Sequence, residues 1–443
     1  MSGHFGSLPR IAIVGSGISG LAVAHSLRGL ADITLFESGN YFGGHTHTVN
    51  ITLPGPQGPE HMLTHGVDTG FLVFNERTYP NLISLFAELG VKTVKSDMSF
   101  SVKVPGAGRR NDALEWSGSS LNSVFAQRSN LLNWRFLRML RDISRFNRIT
   151  TALADSHAEA AMVQPLGDFL KAHSFSAEFR DWYFLPMMGC IWSCPTEQML
   201  QFPVATMIRF CYNHGLIQVT NRPQWWTVAN GARTYVDKII AHIPDKRLNT
   251  PVRLIERDSH GVRIITDGAA ERFDKVVLAA HSDQSLAMLR DATPAERGVL
   301  GAIRYQANRA VLHTDASVLP ANKLAWAAWN YERAPQTARE SAPVCLHYLL
   351  NLLQPLPFTQ PVVVSLNPVQ EIARTHIMGE FDYTHPVFDL PAIQAQGSLA
   401  QLQGRQHTYF CGAWTGYGFH EDGLKSGLQV ARQLLRETSQ VLA

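Results

Sequence analysis

The chain has little of what would place it in several common classes. Only five cysteines occur in 443 residues, at positions 190, 194, 211, 345 and 411. An odd number without a repeated C-x-x-C pair excludes a disulfide framework or a zinc knuckle. Reduced thiols in a cytoplasmic protein are expected. Histidines also lack ligand spacing, so no metal centre is expected. No apolar stretch approaches the roughly 18–20 residues that span a bilayer. Met1 to Arg10 has no apolar core, so no removable secretory signal is expected. A net charge of +3, with 17% charged residues, gives no reason to expect nucleic acid as a partner. Internal repeats and low-complexity segments are missing too. At this length more than one compact core is expected.

What is present begins at residue 11. Ile11-Ala-Ile-Val14 leads into Gly15-Ser16-Gly17-Ile18-Ser19-Gly20, then an apolar helical stretch, Leu21 to Leu30, and a second apolar run, Asp32 to Phe36, closed by Glu37. This is a complete βαβ dinucleotide unit. Gly15 allows the tight turn, Gly17 lets backbone approach a pyrophosphate, and Gly20 lets helix and strand pack closely. The exposed N–H groups at the helix start, Ile18 and Ser19 included, favour an anion there. Glu37, followed by Ser38, would accept hydrogen bonds from a ribose diol and repel a 2′-phosphate, which argues against NADP. A second glycine pair then follows, Gly43-Gly44-His45-Thr46, and after it Asp68-Thr69-Gly70-Phe71. Free NAD needs no second pair; an extended FAD does, because the chain must run against its diphosphate and ribityl chain.

These motifs resemble the flavin-containing amine oxidoreductase superfamily, which includes monoamine oxidases, protoporphyrinogen oxidase and phytoene-type desaturases. Near the C-terminus, Gly412-Ala413-Trp414 and the run Gly418-Phe-His420-Glu-Asp-Gly423-Leu424-Lys-Ser-Gly427 agree with it. The resemblance implies that Gly412, Ala413, Trp414, Gly423, Leu424 and Gly427 lie at the flavin end, and that Val252 pairs with the adenine through its backbone. It also implies an α/β fold of amine-oxidase-like architecture: an FAD-binding, Rossmann-like domain from residues 1–100, 205–300 and 395–443, with a discontinuous α+β substrate domain from 101–204 and 301–394. Residues 101–205 read mostly as helices and 300–395 as strands. A narrower resemblance rests on G-G-H-T-H-T, V-D-T-G-F-x-V-F-N, Trp192-Ser-Cys-Pro195 and G-F-H-E-D-G. It is to bacterial predicted FAD-binding oxidoreductases associated with cyclopropane-fatty-acid synthases, whose neighbours include enzymes implicated in desaturating methyl-branched acyl chains.

Departures from the superfamily are informative. Tyr41 and His45 stand where many members carry arginine around the G-G pair. Asn308 and Arg309 stand where amine oxidases tend to place a lysine near flavin N5. The acid that often follows the C-terminal Gly-Ala step is replaced by Trp414. Together these argue against a standard amine oxidase.

Flavin chemistry asks for a dry cavity and correct placement more than for reactive side chains. Aromatic clusters at 182–184, 191–192, 225–226, 326–329 and 414–419 suit such a cavity. His420 and Tyr417, bordering the C-terminal glycines, are the candidate catalytic residues; for His420 a purely structural role is equally open. From Leu132 to Phe146, the residues Leu132, Phe136, Met139, Leu140, Ile143 and Phe146 share one helical face, opposite Arg135, Arg138, Arg141, Arg145 and Arg148. Such a helix (132–148) either lies on an anionic membrane or packs against the core with a solvated arginine face. The expectation is an FAD-dependent oxidoreductase taking hydride from a lipid-like, methyl-branched or unsaturated acyl substrate, cytoplasmic or peripheral to the inner membrane face. The alternatives are an oxidase of a small amine, or a flavin-binding partner subunit of a lipid methyltransferase.

Overall fold

The computed structural model describes residues 8–442 except 110–111, 159–161, 163, 194, 219–221 and 335–342. Ile11 to Val14 are apolar without alternation, as a strand covered on both faces requires. Arg10–Val14 accordingly sits at the centre of a five-stranded, all-parallel sheet. The strand order is Asp245–Arg247, Asp32–Phe36, Arg10–Val14, Lys275–Leu278, Thr408–Phe410. Ile11, Ile13, Leu35 and Val277 pack on one face, against the helices Ile18–Ser26, Pro80–Leu89, Arg233–Ile240 and His420–Leu442. Ala12, Val14, Val276 and Leu278 pack on the other, against the three-stranded sheet of Val252–Asp258, Gly261–Thr266 and Ala270–Phe273.

A seven-stranded sheet forms the second main body. Its order is Ile377–Val387, Arg304–His313, Val363–Leu366, Cys345–Leu349, Trp329–Glu332, Phe100–Val104, Leu114–Ser117. Every pairing is antiparallel except Trp329–Glu332 with Phe100–Val104. Segment 101–205 therefore opens with strands before its helices begin. The helices between Trp134 and Asn213 share one apolar core with this sheet.

The arginine-rich helix runs Trp134–Asp155, later than the sequence pattern suggested. Asn133 sets the start, because its side chain accepts from the backbone N–H groups of Arg135 and Phe136. Leu132 is thereby left in the preceding turn, 89% exposed, while Phe136, Met139 and Phe146 are buried. Two buried acids serve the arginines, and Asp142 pairs with Arg145. Buried Glu178, from the helix Ala177–Phe179, pairs with both Arg135 and Arg138.

Among the described residues, no helix is long and apolar enough to cross a membrane. Cys190, Cys211, Cys345 and Cys411 are buried and unbridged; Cys194 lies outside the described residues.

Candidate cofactor and substrate site

One cavity of about 730 Å³ runs from the carboxyl ends of the parallel strands into the space under the second sheet. In open parallel sheets, ligands bind in this crevice. At one end the wall is backbone: Gly15, Ser16, Gly17, Ile18, Ser19, Gly43 and Gly44. Gly15 adopts φ +102°, and a Cβ there would lie 2.6 Å from the Ala279 carbonyl. A Cβ on Gly17 would meet nothing within 4 Å, whereas one on Gly44 would press on Gly17 Cα at 3.2 Å. The two glycine motifs thus touch, with open space beside Gly17. No side chain caps the helix Ile18–Ser26 and no acid stands in its first turn, so its N-terminal N–H groups remain available to an anion.

Glu37 is fixed at the ribose position. Its Oε2 accepts from the Ser16 N–H at 3.0 Å and hydroxyl at 2.5 Å, and Oε1 from the Gly39 N–H at 2.8 Å. Carboxylate oxygens hold further lone pairs, so acceptor capacity remains for a diol. Ser38, Thr250, Pro251, Val252 and Arg253 complete this end. A polar, glycine-walled crevice of this shape, ending at an anchored acid, fits the ADP half of FAD.

The middle of the cavity holds four histidines. His45 lies 5.5 Å from His385 and 6.2 Å from His281, ring centre to ring centre. Burial pushes His45 and His281 down to about 4, and His385 and His420 to about 3, each lowered further by a neighbouring histidine. All four are neutral at pH 7. Nδ1 of His385 accepts from Asn308 Nδ2 at 3.0 Å, which leaves the proton on Nε2. Asn308, where amine oxidases tend to place a lysine, is thus a positioning group for a histidine, while Arg309 pairs with Glu380 on the surface. His45 Nε2 is buried without a hydrogen-bond partner among the described protein atoms, so it is open to a ligand in the cavity.

The far end is apolar and aromatic: Met98, Ile191, Trp192, Phe210, Leu216, Trp225, Trp329, Tyr348 and Phe419 line it. His214 is there too, pushed down to about 4 by burial. Among the described lining residues of the whole cavity, only Glu37 and Arg253 carry charge, and both are at the ribose end.

Of the residues singled out from sequence, the wall also contains Gly70, Phe71, Gly412, Ala413, Trp414, Tyr417 and His420. Others are not among the residues that line it. A Cβ on Gly20 would lie 2.0 Å from the Gly15 carbonyl, and one on Gly427 2.3 Å from that of Ser19. Gly423 meets Ile18 in the same way, and Leu424 is core. Gly20 thus fits its helix against the Gly15 turn and Ala279, while Gly423 and Gly427 bring the helices Ile18–Ser26 and His420–Leu442 together. Asp68 accepts from Thr48, Gln354 and the Ala232 N–H; burial raises it to about 6 despite them. Thr69 bonds Tyr383 at 2.8 Å, and Thr46 bonds Tyr235. All three stitch the Thr48–Gly55 and Gly58–Asp68 hairpin to its surroundings.

His420 lines the cavity but is committed on its Nε2 side, to the Tyr235 hydroxyl at 2.7 Å, with its ring stacked on Phe71 at 3.9 Å. Trp414 is pinned by its indole N–H to the Ala280 carbonyl. Sequence reasoning missed His281 and Tyr305, stacked at 4.4 Å. The signal was available: His281 follows the buried parallel strand Lys275–Leu278, where crevice residues belong.

A separate buried cluster lies in the second sheet. The ligand-type atoms of Glu332, Cys345 and His347 lie within 4.8 Å of one another. Lys103 occupies Glu332 Oε1 at 3.0 Å, and His347 Nε2 donates to Oε2 at 3.3 Å. The cluster is a closed ion-pair network.

The sequence profile of the flavin-containing amine oxidoreductase family matches residues 18–345. Among curated proteins, none matches the sequence. Solved structures share the fold over nearly their whole length. A CLA-producing fatty acid isomerase from P. acnes aligns with a TM-score of 0.63 and 17% identity, over 96% of this chain and 98% of the other. Cyclohexylamine oxidase from Brevibacterium oxydans IH-35A gives 0.65 and 16%, over 97% and 99%. Putrescine oxidase bound to putrescine gives 0.65 and 15%, again over 97% and 99%.

Proposed function

We propose, from the premise that the chain belongs to the flavin-containing amine oxidoreductase family, that this FAD-dependent oxidoreductase acts on an apolar, acyl-type substrate. Membership accounts for the cofactor and the reaction class; the substrate is our reading. When bound, FAD supplies hydride acceptance. The residues around it bind, orient and exclude water.

One observation carries the substrate reading: the aromatic end of the cavity has no charged side chain among the described lining residues. An amine is protonated at neutral pH, and burying an ammonium ion without a partner is strongly unfavourable. An acyl chain gains on the order of 0.8 kcal/mol for each methylene buried there. Trp192, Phe210, Trp225 and Phe419 would hold such a chain, and the neutral His385, with its proton fixed on Nε2 by Asn308, would stand ready to donate a hydrogen bond. The similarity to a fatty acid isomerase supports this reading, and the similarity to two amine oxidases supports the alternative.

Anaerobic titration of the holoprotein separates them. Unsaturated or methyl-branched phospholipids and fatty acids are expected to bleach the flavin band, and small amines are not. Bleaching by amines alone would overturn the acyl assignment. No bleaching by any lipid, together with tight co-purification of a lipid methyltransferase, would favour a partner-subunit role.

A further inference from the structure

We infer that the turn and helix start around residues 121–141 form a docking surface for an anionic lipid bilayer. The inference goes beyond the choice of substrate and does not depend on it. Sequence pattern alone suggested the apolar stripe of the arginine-rich helix as the contact face. Apart from Leu132, that stripe packs into the core, with Phe136, Met139 and Phe146 fully buried, so the surface must be sought at the helix start and on the opposite side.

There, several large apolar side chains stand in solvent: Leu121 is 80% exposed, Leu132 89% and Trp134 64%, with Leu131, Leu137 and Leu324 also exposed. Local bonds hold these segments together. Asn322 Nδ2 donates to the Ala126 carbonyl at 2.8 Å, tying the turn that carries Leu324 to the one after Leu121. Arg128 bonds the Phe125 carbonyl, and Asn133 caps the helix that starts at Trp134. Scattered apolar residues on a surface are ordinary, but a cluster held on rigid turns marks an interaction site.

The charge around the cluster selects the occupant. At helical spacing, Trp134, Leu137, Arg138, Arg141 and Arg148 share one face. Arg141 and Arg148 are exposed, with no acidic partner among the described residues, and Arg128 and Lys323 flank the turns. The nearby acids are already used. Glu178 serves Arg135 and Arg138, Asp142 serves Arg145 and the Ser176 N–H, and Glu115 binds the N–H groups of Ala321 and Asn322. Trp134 lies under the Arg138 guanidinium at 4.8 Å, an amphipathic pairing suited to the headgroup level. Leucines that enter the acyl boundary, a tryptophan at the interface and arginines that reach lipid phosphates complement an anionic membrane. A second copy docked through the same face would oppose arginine to arginine across the two-fold axis, which is unfavourable.

Co-sedimentation of the holoprotein with vesicles tests this. Wild type is expected to bind phosphatidylglycerol-containing vesicles, to bind pure phosphatidylcholine far less, and to be released by salt. The double variant Leu132→Glu/Trp134→Glu should bind about tenfold or more weakly while keeping its flavin and its melting temperature. Leu63→Glu, an exposed leucine on the strand Gly58–Asp68 outside this surface, should bind as wild type does. The inference fails if wild type stays in the supernatant with anionic vesicles, if the double variant binds equally well, or if Leu63→Glu loses as much. It also fails if the double variant's main effect is to convert a dimer into a monomer.

Discussion

At the scale of single residues, Gly17 and Gly20 belong to one motif and do opposite things. Beside Gly17 there is room for a side chain, and that room is where the diphosphate is expected; at Gly20 the space is already taken by the Gly15 carbonyl. Gly17→Val should therefore leave the melting temperature of the flavin-free protein close to wild type and abolish FAD retention, read from the visible absorption of the purified protein. Gly20→Ala should destabilise the fold by roughly 1–3 kcal/mol through overpacking, measured by denaturant unfolding. If both variants lost stability equally and both kept flavin, the glycine cradle would not be the cofactor site.

At the scale of elements, one polar chain crosses five neighbouring strands of the second sheet. His313 Nε2 meets Ser365 Oγ at 2.7 Å, Ser365 Oγ meets His347 Nδ1 at 2.6 Å, His347 reaches Glu332, and Glu332 reaches Lys103. Burial lowers the His347 pKa, but the Cys345 sulfur and the Glu332 carboxylate outweigh it and raise it to about 9. A folded-state value above the unfolded one stabilises the fold fully below about pH 6.5, and that stabilisation is lost as pH rises through 9. Wild type should lose on the order of 1–3 kcal/mol between pH 6.5 and 10. His347→Gln should start less stable and change less over that range. Denaturant midpoints measured across the range check it; a wild-type midpoint that rose with pH would contradict the network. None of this was legible in the sequence, because the five residues come from strands dispersed between Phe100 and Leu366. The βαβ unit was legible because its geometry is local: strand, turn and helix lie within 30 residues. The same contrast separates Glu37 from His420. Ser16 sits close in sequence to the first, whereas Tyr235, from a helix 185 positions away, takes up the second. The glycines at 423 and 427, placed at the flavin end by the family resemblance, also pack closely on the helix Ile18–Ser26, a contact between segments about 400 residues apart that no local pattern displays.

At the scale of the whole molecule, the cofactor crevice is walled by segments that meet only in three dimensions. A ligand that contacts all of them stabilises the folded state by mass action, by about 2.7 kcal/mol at a hundredfold excess over Kd. For a chain this long that corresponds to a melting-temperature rise of about 3 °C when FAD is added to stripped protein; no rise would mean that FAD does not bridge them. The parallel sheet has a further consequence for biosynthesis. Its edge strand Thr408–Phe410 and the helix from His420 leave the ribosome after the other four strands, and Trp414, Tyr417 and His420 emerge with them. Until then the crevice lacks a wall, so flavin capture waits for these segments to emerge, and nascent chains stalled before residue 408 should emerge colourless.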